Sequence, residues 1–237
     1  AEPIGGASTG ALVPPDDYFA IIQETCRRYG IMLILDEVMT GFGRTGRMFG
    51  YEHWNVEADI IALSKGMAAG YFPLGAIMAR RSIVDTVLSS GGFMHGYTYA
   101  GNPLACAVGR EVLDILIKED LCNHARQSGT VLKAGLDSLA ERYPIIGQVR
   151  GKGLLWGLEF VEDKHTRRPF AAALQIAQRL TDLAFDEGLI IYPRRSLNGL
   201  AGDHVLVAPP LIITTDEISE LLRRLERAMD LIMAELD

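Results

Sequence analysis

Gly30-Ile31-Met32-Leu33-Ile34-Leu35-Asp36 decides the fold class. Five consecutive apolar residues, fenced by a glycine and an acid, are too few for an ordinary helix and show no polar alternation. Such a run predicts a strand of a parallel sheet, buried on both faces. Upstream, Pro14-Pro15-Asp16-Asp17 is a helix-start signal. Phe19, Ile22 and Cys26 then repeat at helical spacing up to a glycine stop at Gly30. Residues 16–36 therefore read as helix then strand, the second half of a βαβ unit. Asp59-Ile60-Ile61-Ala62-Leu63 repeats the short apolar pattern, and Pro73 to Ala79 gives a third candidate strand. The fold class is α/β.

Further along, residues 81–90 predict a short helix, and Pro103 opens a long one to about Lys118, with proline well placed in the first turn. The character then changes. Residues 121–142 predict a helix ending before Pro144, and Gln148 to Val161 alternates around Gly151, Gly153 and Gly157 as one strand. Residues 170–187 read as helical, 189–192 and 205–207 as short strands, and Thr215 as the N-cap of an amphipathic helix to Leu236. A boundary is expected near residue 110, giving domains 1–110 and 111–237.

The 237 residues suffice for one large domain or two small ones. With 49% hydrophobic and 22% charged residues, the composition excludes a disordered chain, a collagen-like repeat and a disulfide miniprotein. Twenty-three basic residues against thirty acidic ones give a net charge of -7, so no nucleic-acid partner is expected. No apolar run approaches the ~18 residues of a membrane span. Cys26, Cys106 and Cys122 form no CxxC pair and cannot all pair with one another, as in a cytoplasmic protein with reduced thiols. The chain opens on Ala1-Glu2-Pro3, without Met or leader, and this is expected to be an internal segment of a longer chain.

Two charged residues stand where an open α/β sheet binds its ligands, beyond the carboxyl ends of the strands. Asp36 ends the first strand and Lys65 lies two residues beyond the second. An acid and a lysine at one sheet edge, each beside a Gly-rich loop, suit an anionic cofactor that needs both a carboxylate and an amine. The loop Gly41-Phe42-Gly43-Arg44-Thr45-Gly46 is no Walker A motif, because no Gly-Lys-Ser/Thr follows, and it opens no helix. The five histidines form no HxH or HxxxH pair, so no metal site is expected. No Gly-x-Ser-x-Gly elbow is present.

Leu35-Asp36-Glu37-Val38-Met39-Thr40-Gly41-Phe42-Gly43-Arg44-Thr45-Gly46 resembles the signature of class III aminotransferases, pyridoxal-phosphate enzymes of fold type I. Ala62-Leu63-Ser64-Lys65-Gly66 with Pro73-Leu74-Gly75-Ala76 is similar to their lysine segment, and the stretch from His95 to Ala107 to their phosphate-contacting loop. Val149-Arg150-Gly151-Lys152-Gly153-Leu154 and Ala208-Pro209-Pro210-Leu211-Ile212-Ile213 match two small-domain segments. The resemblance implies the C-terminal half of a family chain: part of the large domain, a mostly parallel sheet flanked by helices, plus an α+β small domain.

The resemblance also implies roles. Lys65 would bond the pyridoxal 5'-phosphate aldehyde and shuttle the substrate proton, and Asp36 would hold the pyridine nitrogen. Val38 would pack on the ring, and Thr98 would reach the phosphate across a homodimer with shared active sites. Glu2 matches an acid that in some members pairs with a substrate-binding arginine, but Leu206 stands at the arginine's position, which disfavours a glutamate-type clamp. Arg194 or Arg195, on a lengthened loop 193–203, would then take a substrate carboxylate, as in the amine:pyruvate branch, which Met39 also favours. The activity implied is ping-pong transfer of an amino group from an amine or ω-amino acid to a 2-oxo acid such as pyruvate. The alternatives are a decarboxylase, racemase or aminomutase on the same scaffold, or a non-catalytic fragment that keeps the fold.

Overall fold

A computed structural model of the chain describes residues 1–196 and 201–236. It divides into two compact units, each considered by itself. The first comprises Ala1–Pro3 and Pro14–Cys122, and the second Ile4–Val13 and the chain from Asn123 onward. The division thus falls after Cys122 rather than near residue 110. Residue 110 lies inside an unbroken helix, α3 (Pro103–Lys118), which packs on the first unit. Its Gly109 sits so close that a Cβ there would meet the Leu74 side chain at 2.5 Å.

In the first unit, α1 (Tyr18–Tyr29) ends at Gly30, whose φ of 64° is the left-handed C-cap that glycine favours. The strand that follows, β1 (Ile34–Asp36), pairs in parallel with β2 (Ile60–Leu63), in the register Ile34↔Ile60, Leu35↔Ile61 and Asp36↔Ala62. β3 (Ala76–Ala79) runs antiparallel to β2, and α2 (Arg81–Ser89) and α3 follow. On the other side of β1 the chain start continues the sheet. The Ala1 amino group donates to the Ile34 carbonyl at 2.8 Å, and the Ala1 carbonyl accepts the Asp36 N–H at 2.8 Å. That pattern sets residue 1 opposite Leu35 in parallel register. One buried cluster here is Phe19, Leu33, Leu35 and Val56, with Trp54 tilted against the Phe19 ring, and Phe42, Leu63 and Leu116 are buried as well.

The second unit is a four-stranded antiparallel sheet in the order β4-β5-β7-β6. The stretch expected as one strand is a hairpin, β4 (Ile146–Lys152) and β5 (Leu155–Phe160). Gly153, at φ 57°, supplies the turn that breaks the run. β6 (Tyr192–Ser196) and β7 (Ala201–Val207) replace most of the expected loop 193–203, and residues 197–200 of that stretch lie outside the described residues. β6 also starts later than the expected 189–192, because pairing with β7 begins at Tyr192 while Ile190 stays exposed.

Three helices cover one face of this sheet: α4 (Leu121–Arg142), α5 (Ile176–Asp186) and α6 (Thr215–Leu236). Leu132, Leu136, Leu180, Ile218 and Leu225 pack on Trp156, Leu158, Phe160 and Val205. Each such aliphatic side chain removed from water contributes roughly 1.5–3 kcal/mol. The cap of α6 is Thr214, not Thr215. Its hydroxyl accepts the Glu217 N–H at 3.2 Å, while the Glu217 carboxylate accepts the Thr214 N–H at 2.8 Å. This reciprocal capping box also holds the Glu217 carboxyl below its usual range.

The opposite face of the sheet is covered by the segment 4–13. Gly157 of β5 lies under Gly10, where any Cβ would come within 2.2 Å of the Gly10 carbonyl oxygen. Arg150 donates to the carbonyls of Gly10 at 2.7 Å and Thr9 at 3.0 Å, and is neutralised by Glu159. His204 Nε2 lies 2.8 Å from the Ala7 carbonyl. Leu206, paired with Gly157 across β5 and β7, is buried on this face.

Candidate functional site

The carboxyl edge of β1 and β2 gathers the charged groups of the first unit. Asp36 is the last residue of β1, and Lys65 comes two residues after Leu63, the last of β2. Because the strands are parallel neighbours, both residues leave the sheet at the same end, and both are exposed. The Asp36 carboxylate accepts the Val38 N–H at 3.0 Å, a turn that fixes the side chain beside its own strand end. Val38 is half-buried. Glu2, also exposed, follows the residue bonded to the Asp36 N–H, which brings it to this edge.

Lys65 has φ 43°, the left-handed region, which costs a side-chain-bearing residue roughly 1–2 kcal/mol. Its neighbours hold it there. The Ser64 hydroxyl donates to the Leu74 carbonyl at 3.0 Å, and the Met67 N–H closes a 3-10 turn onto the Ser64 carbonyl at 3.0 Å. Gly66 packs so tightly that a Cβ would stand 3.0 Å from the Phe42 Cβ.

One group at this edge escapes sequence reasoning. Glu37, next to Asp36, is fully buried. Strand geometry turns consecutive side chains to opposite faces, so Asp36 faces out and Glu37 in. The Glu37 carboxylate accepts the Thr40 hydroxyl and the N–H groups of Gly50 and Tyr51, the latter two at 2.8 Å each. Burial pushes its carboxyl above the usual range, and these hydrogen bonds oppose the rise. An acid beside an acid at a strand end reads as solvated, and no spacing signal marks it otherwise.

The other expected site residues are on other elements. Thr98 sits in the loop between α2 and α3, exposed along with Tyr97 and Tyr99, and makes no hydrogen bond to Asp36 or Lys65. Arg194 and Arg195 belong to the second unit and differ from each other. Arg195 pairs across the strands with Asp203, Nε to Oδ1 at 3.3 Å, and donates to the Ala172 carbonyl at 3.0 Å. Asp203 is fully buried and accepts the Ala177 N–H in the first turn of α5 at 3.2 Å, so Arg195 is tied into the scaffold. Arg194 is exposed, its guanidinium 4.9 Å from the centre of the Tyr192 ring. Sequence spacing cannot separate these adjacent arginines, since the register that delivers Asp203 to one of them is not visible in it.

Known proteins share this architecture. A family model described as aminotransferase class-III matches residues 1–229. An uncharacterized aminotransferase, YodT of Bacillus subtilis (strain 168), is 43% identical over 94% of this chain and 50% of its own length. The crystal structure of a transaminase from the marine bacterium Virgibacillus superposes with a TM-score of 0.94 at 36% identity, over 100% of this chain and 53% of that one. An amine transaminase from an uncultivated Pseudomonas species, solved in its PLP-bound (internal aldimine) form, has a TM-score of 0.89 at 43% identity, over 97% of this chain and 51% of that one. The chain thus spans about half the length of the curated relatives it matches. Its α/β fold is that of part of the pyridoxal-phosphate transaminases, and the chain belongs to the class-III aminotransferase family.

Proposed function

We propose that this chain supplies the lysine-bearing part of an enzyme that moves an amino group from an amine or ω-amino acid to a 2-oxo acid such as pyruvate. The observation that carries the reading is the pairing of Asp36 and Lys65 at the carboxyl ends of neighbouring parallel strands. A carboxylate, a primary amine and, on a separate exposed loop, a hydroxyl fit the pyridine nitrogen, aldehyde and phosphate of pyridoxal 5'-phosphate. When bound, this cofactor supplies an electron sink for the substrate α-carbon.

The chain's own groups divide the remaining work. The Lys65 amine is the group that would hold the cofactor at its aldehyde, and its free amine would take and return a proton at the substrate α-carbon. Asp36, fixed by the Val38 N–H, would hold the proton on the pyridine nitrogen, and Val38 would pack on the ring face. Thr98 serves the phosphate in the site of a second copy, in a homodimer, which accords with the exposure of its loop. Arg194 takes the substrate carboxylate, since Arg195 is bound to Asp203, and Glu2 lines the substrate side of the β1 edge. The three free cysteines accord with a cytoplasmic enzyme.

Alanine formation from pyruvate and an amine donor tests this with the complete protein. Lys65→Ala should lower the rate by about 10³-fold or more. Decarboxylated or racemised donor without alanine would assign another reaction to the same residues.

A further inference from the structure

We infer that Glu37 is a positioning residue for Asp36. The inference rests on the assignment of Asp36 to the pyridine nitrogen and extends it to a group that does not reach the ligand.

The Asp36 carboxylate takes its orientation from the Val38 N–H, at 3.0 Å. Glu37 is the residue between them, so its backbone sets where that N–H points. It is pinned at every polar group. Its N–H donates to the Ala62 carbonyl at 3.0 Å, the bond that closes the Asp36↔Ala62 pair at the end of the β1–β2 ladder. Its carbonyl accepts the Gly41 N–H at 2.9 Å. Its carboxylate receives Thr40, Gly50 and Tyr51. The segment 38–49 therefore leaves the sheet and returns to a single buried side chain.

The Gly50 and Tyr51 N–H groups fall one on each carboxyl oxygen, so the site needs an acceptor at both positions, which a carboxyl group offers and an amide does not. In Glu37→Gln, the amide NH2 must face one of these donors, and the segment loses an anchor. Gly50→Ala disturbs the same anchor with the charge kept. Its Cβ would stand 2.8 Å from the Thr40 Cβ and 3.2 Å from Glu37 Oε2, so the carboxylate must move.

The test uses the complete protein loaded with pyridoxal phosphate carrying 15N in the ring. The readouts are the 15N chemical shift, which reports the pyridine proton, and kcat beside the melting temperature. Asp36→Asn sets the unprotonated reference. Glu37→Gln should move the 15N shift toward that reference and lower kcat about 10- to 100-fold. Gly50→Ala should do the same to a smaller degree, and it carries the test if Glu37→Gln does not fold. A lowered melting temperature with the 15N shift of the unmutated protein would overturn the positioning role and leave Glu37 as loop packing alone. If Asp36→Asn itself leaves the shift unmoved, the reading of Asp36 fails, and the inference with it.

Discussion

β5 of the second unit and β1 of the first are both short apolar strands, yet they are housed differently. β5 is covered on both faces: Trp156, Leu158 and Phe160 lie under the helices, and Gly157 lies under the segment 4–13. In β1, Leu35 is buried but Ile34 is 50% exposed, and Ile31 and Met32 ahead of it are more so. The apolar run predicts two covered faces, and this chain supplies the cover for one. The unit with the large closed core carries Arg194, which we propose for the substrate carboxylate. The unit that presents Asp36 and Lys65 has a smaller core and broad apolar exposure, including Tyr71, Met94 and Tyr99.

That contrast can be broken by substitution. Leu158→Ala, in the closed core, should cost about 2–5 kcal/mol, near the top of that range because its surroundings are packed on all sides. Leu35→Ala should fall near the bottom, since its small cluster can relax into an open face. Equal losses in chemical denaturation would erase the distinction between the units. A smaller effect is expected at Asn102, whose side chain accepts the N–H groups of Leu104 at 3.0 Å and Ala105 at 3.2 Å to start α3. Asn102→Ala should cost about 1 kcal/mol.

The least effect appears only at high pH, and in the second unit. Burial, with the hydrogen bond to Asp230, pushes the Tyr143 hydroxyl up to about 12 from its ordinary 10.0. The folded state thus keeps a proton that the unfolded state releases first. Stability from this group is complete below pH 10 and is lost as pH rises from about 10 to 12. The melting temperature of the unmutated protein should fall more steeply across that window than that of Tyr143→Phe. Parallel curves would show that Tyr143 does not titrate there.

Much of the fold could be read because periodicity is local. α2, α3, α4 and α6 run as their spacing predicts, and β2 is where its apolar run ends. What failed depends on partners distant in sequence. The β4–β5 hairpin reads as one strand, because the turn at Gly153 resembles the glycines Gly151 and Gly157 on either side of it. The cap of α6 moved to Thr214, because a capping box is decided by which threonine meets Glu217. At the candidate site, Asp36 and Lys65 stood out because each charge ends an apolar run. Thr98 stood out only through resemblance. Glu37 and Asp203 did not stand out at all, because burial of an acid follows from the donors folded around it.

The central proposal is Lys65 as the amine that bonds pyridoxal phosphate. Borohydride reduction of the complete protein with its cofactor, followed by peptide mass spectrometry, tests that directly. The expected result is a pyridoxyl group on the peptide containing Lys65 and on no other lysine. A stable label on a different lysine, with Lys65 unmodified, would contradict it.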